Sequence, residues 1–196
     1  MTRDKFGSIE PWMSTDPLPE HGILFIRHGP RPKGSFPDHK VQLTEEGREE
    51  VFQLGMTWRG RESPLVLSSP VQRCKDTCDL LIEAAGWDTQ IIETSLLGHP
   101  GPFVINEELI DMVVKKSYGT NNWSWLVDHV NGANIPGLRS RDLGVDRMLS
   151  NILFLIQDSP FAIGCSHDSI LAALAASMGL STERWPEPLE GYLLLR

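Results

Sequence analysis

Three short polar clusters in this chain hold residue types that can do chemistry together: Arg27-His28-Gly29-Pro30-Arg31, Ser68-Ser69-Pro70-Val71-Gln72-Arg73 and Ser166-His167-Asp168. A guanidinium keeps its charge and presents a planar fork of N–H donors. Arginines gathered at one point therefore suit an oxyanion such as a phosphoryl group. An imidazole can act as a nucleophile, and attack on phosphorus needs its neutral form. Arginines beside His28 favour that form, because they repel a second positive charge. Each residue alone also fits a plainer role: a solvated arginine, a hydrogen-bonded structural histidine, an aspartate capping a helix. Convergence of the clusters is what would make a site of them.

Each cluster directly follows a short apolar run. Residues 22–26 read as a strand buried on both faces, as in a parallel sheet. Residues 64–67 and 161–165 read the same way, and 90–92 and 191–195 complete the candidate strands. Helical patterns lie between them. In 44–58, Thr44 can cap, Glu45 and Glu46 sit in the first turn, and Val51, Leu54, Gly55 and Trp58 share a face. The next helix is expected to take Ser69 as cap and Pro70 as its first residue, and to end at Gly86. Its apolar face is Val71, Cys74, Cys78, Leu81, Ile82 and Ala85. A third covers 141–157, with Val145, Met148, Leu149, Ile152 and Ile156 inward, and a fourth runs to Met178 before Gly179. Alternating strands and helices predict an α/β fold, a three-layer α/β/α sandwich with a mostly parallel central sheet and right-handed crossovers. Ligands of such sheets bind beyond the carboxyl ends of the strands, where all three clusters would meet.

The rest of the sequence bounds the reading. The chain has 196 residues, 40% hydrophobic and 22% charged, which is enough for a core without disulfide staples. We expect one domain over 1–196, with 1–20 an irregular N-terminal arm, since prolines at 11, 17 and 19 argue against helix. Residues 100–138 read as an insertion-like segment of mixed signals that shapes a substrate pocket. A net charge of −8 makes nucleic acid and anionic membrane poor partners. It also requires a local cationic pocket if the substrate is an anion. No apolar stretch is long enough to span a bilayer, and no secretory leader is evident, so a cytoplasmic protein is expected. Cys74, Cys78 and Cys165 fit small buried thiols in a reducing compartment better than a disulfide framework or a zinc site. No metal-ligand spacing is present, and no cofactor is expected. The tryptophans of 121–125 are read as packing a small core, and His21, His39 and His129 as ordinary.

The segment Leu24-Phe25-Ile26-Arg27-His28-Gly29 resembles the opening motif of the histidine phosphatase superfamily, which includes the phosphoglycerate mutases and the histidine acid phosphatases. Further blocks follow in the family order: Leu43-Thr44-Glu45-Glu46-Gly47 with Leu54-Gly55, Ser68-Ser69-Pro70 through Arg73 with Thr77, and 161–174 around Ser166-His167. The resemblance implies a phosphoglycerate mutase-like fold and a phosphomonoesterase acting on a small phosphorylated substrate. His28 would become a phosphohistidine that water then hydrolyses. Arg27, Arg73 and His167 would clamp the phosphate. The form Arg-His-Gly-x-Arg-x-Pro, shared with the acid phosphatase branch, adds Arg31 as a phosphate ligand. The mutase-like branch places a glutamate acid where this chain has Leu96-Leu97-Gly98. The His167-Asp168 pair resembles the acid phosphatase form instead, so Asp168 is expected to protonate the leaving oxygen. Glu93, His99, Glu107 and Glu108 are weaker substitutes. Two alternatives remain: a phosphoglycerate mutase-type phosphotransferase, and a non-catalytic phospholigand-binding protein on the same fold.

Overall fold

The computed structural model describes residues 7–33 and 38–195. The described residues form a six-stranded sheet flanked by six α-helices. The strands are β1 (Ile9–Trp12), β2 (Gly22–Arg27), β3 (Leu65–Ser68), β4 (Ile91–Glu93), β5 (Phe161–Ser166) and β6 (Gly191–Leu194). Their order across the sheet is β1-β6-β2-β5-β3-β4. The pairs β2–β5, β5–β3 and β3–β4 are parallel, while β6 runs antiparallel to both β2 and β1.

The central strands are apolar along their whole length because both of their faces are covered. Alternate side chains of β2 go to opposite sides. Ile23 and Phe25 join one core with Met148, Leu149 and Ile152 of α5 (Arg141–Leu155) and with the alanine-rich α6 (Asp168–Ser177). Leu24 and Ile26 join the other core, with Val51 and Leu54 of α1 (Glu45–Thr57) and Cys74, Cys78 and Leu81 of α2 (Gln72–Ala85). The result is the expected three-layer α/β/α arrangement. The register Arg27↔Ser166 on one side and Ser68↔Cys165 on the other ends β2, β5 and β3 at one level.

Three expectations need correction. Residues 1–20 are not irregular throughout, because Ile9–Trp12 forms the edge strand β1 on β6. Pro11 excludes a helix there but is tolerated on an outer strand. Helix α2 starts at Gln72 rather than Pro70, with Val71 as a cap that makes no side-chain bond. Ser69 does not cap in the expected way, since its hydroxyl faces His167 as well as the Val71 amide. Residues 103–138 hold two helices, α3 (Glu107–Thr120) and α4 (Ser124–Val130). Asn106 caps α3 through the Leu109 amide, and Asn121 ends it in the left-handed conformation. No described helix is long and apolar enough to cross a membrane.

Candidate active site

His28 lies just past β2, 2% exposed. Its backbone amide donates to Ser166 O (3.1 Å), which keeps the exit of β2 tied to β5. The following amide, Gly29 N, donates to Thr77 Oγ1 (3.0 Å), and that hydroxyl donates onward to Arg73 O (2.7 Å). Thr77 thus ties the histidine loop to α2. The His28 Nδ1–H donates to Gly29 O (2.8 Å), which assigns the tautomer and leaves the Nε2 lone pair free of described partners. Burial, then the neighbouring His167 and Arg73, hold His28 well below the usual imidazole pKa, so its neutral form dominates at physiological pH.

His167 follows β5 and faces His28 edge-on, with ring centroids 5.5 Å apart. Its Nδ1 accepts from Arg73 Nη2 (3.1 Å), and Nε2 lies 3.1 Å from Ser69 Oγ. With Nδ1 accepting, Nε2 carries the proton and donates to Ser69. Cys74 Sγ lies 3.7 Å from the same nitrogen, so this thiol borders the site as well as packing the core. Gly98 shapes the other wall. Its φ of 144° disfavours any side chain, and a Cβ there would stand 2.6 Å from His167 Nε2.

All three cluster arginines arrive at this edge. Arg27 donates to Pro186 O (2.8 Å) and pairs with Asp168 Oδ2 (2.9 Å). Arg31 donates to Pro32 O (3.0 Å), and it pairs with Asp38 Oδ1 (2.6 Å). Arg73, 3% exposed, donates to both the backbone oxygen (2.6 Å) and Oδ2 (2.7 Å) of Asp38. Among the described residues, the buried side-chain polar atoms without a partner are the Nε atoms of these same three arginines. Buried donors are rarely left unpaired.

Asp168 opens α6 and accepts from the Ser169 amide (2.7 Å), so it also serves the helix N-terminus. Its carboxylate is over a third exposed and opens on a cavity of about 630 Å³. Tyr118, Asn121, Trp123, Lys33, Glu187 and Pro188 also line that cavity. Trp123 was expected only to pack a core; it stands against Tyr118 with ring centroids 4.8 Å apart and faces the cavity. The weaker acid candidates make other contacts. Glu93 pairs with Lys75 (3.3 Å) at the β4 edge, Glu107 and Glu108 begin α3 exposed to solvent, and His99 stacks on His39.

Asp38 was missed in the sequence. It sits in a 3-10 turn (Asp38–Lys40), in the chain that returns from β2 to α1. It receives Arg31, Arg73 and the Tyr118 hydroxyl (2.8 Å). Burial pushes its carboxyl up, but the two arginines and Tyr118 outweigh that and hold it below its ordinary value. A lone aspartate in a polar loop gives no sign of this in one sequence. Among the described residues, no three His, Cys, Asp or Glu side chains gather where they could share a metal ion.

Residues 23–98 match the sequence model of the histidine phosphatase superfamily (branch 1), which shows the resemblance carried by the first motifs. Solved structures agree on the fold, a phosphoglycerate mutase-like one. A mycobacterial glucosyl-3-phosphoglycerate phosphatase is 20% identical at a TM-score of 0.52, covering 80% of this chain and 78% of that one. The alpha-ribazole phosphatase of Shigella flexneri is 18% identical at 0.56, covering 88% and 95%. A protein described as mycobacterial hydrolase 1 is 16% identical at 0.57, covering 89% and 96%. The mycobacterial glucosyl-3-phosphoglycerate phosphatase has also been solved with inorganic phosphate and with VO3. Comparison with curated protein sequences gives no match.

Proposed function

We propose that this protein is a phosphomonoesterase that works through a phosphohistidine on His28 and needs no metal ion. One observation carries the reading: the guanidinium donors of Arg27, Arg31 and Arg73 come to one sheet edge with His28, which burial keeps neutral and whose Nε2 has no partner among the described residues. Phosphoryl oxygens satisfy such donors, and a neutral imidazole can attack the phosphorus they hold. That the family and the structural neighbours are named for phosphatases supports the same chemistry.

The steps follow from the positions. The substrate phosphate binds Arg27, Arg31 and Arg73, which neutralise charge on its equatorial oxygens. His28 Nε2 forms a bond to phosphorus as the bond to the leaving oxygen breaks. The Nδ1–H bond to Gly29 O holds the ring in place and stabilises the charge the ring gains. Asp168 gives its proton to the leaving oxygen, then takes one from the water that attacks the phosphohistidine and releases phosphate. To begin, Asp168 must be protonated. His167 positions Arg73 and exchanges one of its present bonds for a phosphate oxygen. The cavity beyond Asp168 takes the leaving group. Three free, buried cysteines suit a reducing compartment, and we place the protein in the cytoplasm.

The test is steady-state hydrolysis of p-nitrophenyl phosphate in EDTA, for wild type and His28→Ala. Turnover by wild type and none by the variant is the expected result. Loss of wild-type activity on chelation would remove the metal-independent mechanism. Equal activity in both proteins would remove the phosphohistidine.

A further inference from the structure

We propose that Asp38 is an exchangeable internal anion of the phosphate clamp, and that it sets the concentration an incoming phosphate must reach to bind. This rests on the phosphatase reading above. Two of the three proposed phosphate arginines are held by this one residue: Arg31 on Oδ1 at 2.6 Å, Arg73 on Oδ2 at 2.7 Å. Such a two-oxygen bridge between guanidinium groups is also how a phosphoryl group would be held. Among the described residues the Nε–H groups of both arginines have no partner, so the carboxylate does not saturate them. Asp38 is also within reach of solvent, with its side chain 31% exposed, and lies in a short turn rather than in the core.

The consequence is a threshold. An incoming anion must displace a carboxylate that is tethered to the same chain and therefore present at high effective concentration. A singly charged ligand, such as a phosphodiester, brings no more charge than the carboxylate it replaces. A phosphomonoester is near its doubly charged form at neutral pH and brings about twice as much. The arginines themselves favour the more highly charged ligand, and Asp38 lowers the apparent affinity for every incoming anion by a common factor. Tyr118 tunes the threshold, because its hydroxyl donates to Oδ1 and stabilises the closed arrangement. Tyr118 also lines the leaving-group cavity, so a substrate that fills the cavity meets the residue that helps hold the internal anion.

Calorimetry with inorganic phosphate and with vanadate, on wild type, Asp38→Asn and Tyr118→Phe, tests this without relying on turnover. Asparagine keeps the backbone carbonyl that Arg73 uses and removes the charge. Phosphate affinity should rise about tenfold or more in Asp38→Asn, as one charge-assisted competitor is lost, and by a smaller factor in Tyr118→Phe. The ratio of turnover of p-nitrophenyl phosphate to that of bis(p-nitrophenyl) phosphate at low substrate should stay the same in Asp38→Asn, because the competitor is lost for both. Weaker phosphate binding in both variants would overturn the proposal and make Asp38 a fixed support for the arginines. Tighter binding in Asp38→Asn with no wild-type turnover would keep the proposal and sink the phosphatase reading. No binding to any of the three would sink both. Thermal unfolding of each variant confirms that the comparison is made on folded protein.

Discussion

The two ends of the site are built differently. At the proposed phosphate end, His28 and Arg73 are almost fully buried, and a chain of bonds through Thr77, Ser166 and Ser69 fixes them to β2, β5 and α2. At the proposed leaving-group end, Lys33, Asn121, Trp123 and Glu187 come from loops and from the α3–α4 segment, outside the sheet. A reacting centre needs its groups held to fractions of an ångström, which packed elements provide. A recognition surface can be rebuilt by changing a loop and leaving the sheet alone. The contrast predicts that changes at the phosphate end act on kcat, and changes at the other end act on KM.

The largest effect tests the buried end. His28→Ala removes the only group proposed to bond to phosphorus, and kcat/KM should fall by about a thousandfold or more. If activity survives within tenfold, the buried end is not the reacting centre and the contrast collapses. Asp168 stands between the two ends, and its effect depends on the leaving group. Asp168→Asn should cost about a hundredfold on an alkyl phosphate, whose oxygen needs a proton, and much less on p-nitrophenyl phosphate. Equal losses on both substrates would make Asp168 a partner that positions Arg27 rather than an acid.

A smaller effect tests the open end. Trp123→Ala removes an aromatic wall that faces the cavity and touches Tyr118. KM for aromatic phosphates should rise about five- to tenfold with kcat nearly unchanged. A fall in kcat with unchanged KM would mean that the cavity wall positions the reacting groups, and the division between the ends would be false.

The same contrast explains what was readable in the sequence. The phosphate end follows from strands marked by continuous apolar runs, so Arg27, His28, Arg73 and His167 were placed by the register of the sheet. The helices expected over 44–58 and from Pro70 to Gly86 are legible because one face of each is apolar, although the second starts two residues later, at Gln72. The leaving-group end has no such periodicity to follow. Helix α3 carries its exposed Met112 beside polar residues, and its ends are set by Asn106 and Asn121, whose side chains act only through local hydrogen bonds and left-handed backbone. Trp123 was read as core because an aromatic in an irregular segment most often is. Asp38 was invisible for another reason: its role depends on where two distant arginines arrive, and no local pattern encodes that.

The smallest effect separates the two ends by pH. Burial, His167 and Arg73 together hold His28 well below the ordinary imidazole value of 6.5 that it regains on unfolding. Above that value both states are neutral and His28 adds no pH dependence. As pH falls below it, the unfolded chain takes up a proton that the folded chain refuses, so stability falls with falling pH until the folded value is reached. His129, lowered mainly by burial, acts with the same sign. Asp38 acts in a lower window: its carboxyl is held below its ordinary 3.8, so its contribution is present above that value and is lost as pH falls further. Tyr118, pushed up to about 12 by burial and by Asp38, does not titrate in either window. Urea unfolding from pH 7.5 to 5 should therefore show declining stability in wild type and a shallower decline in His28→Asn, while Trp123→Ala keeps the wild-type slope. Identical slopes in wild type and His28→Asn would show that the buried end does not hold its histidine neutral, and the nucleophile would need another source of activation.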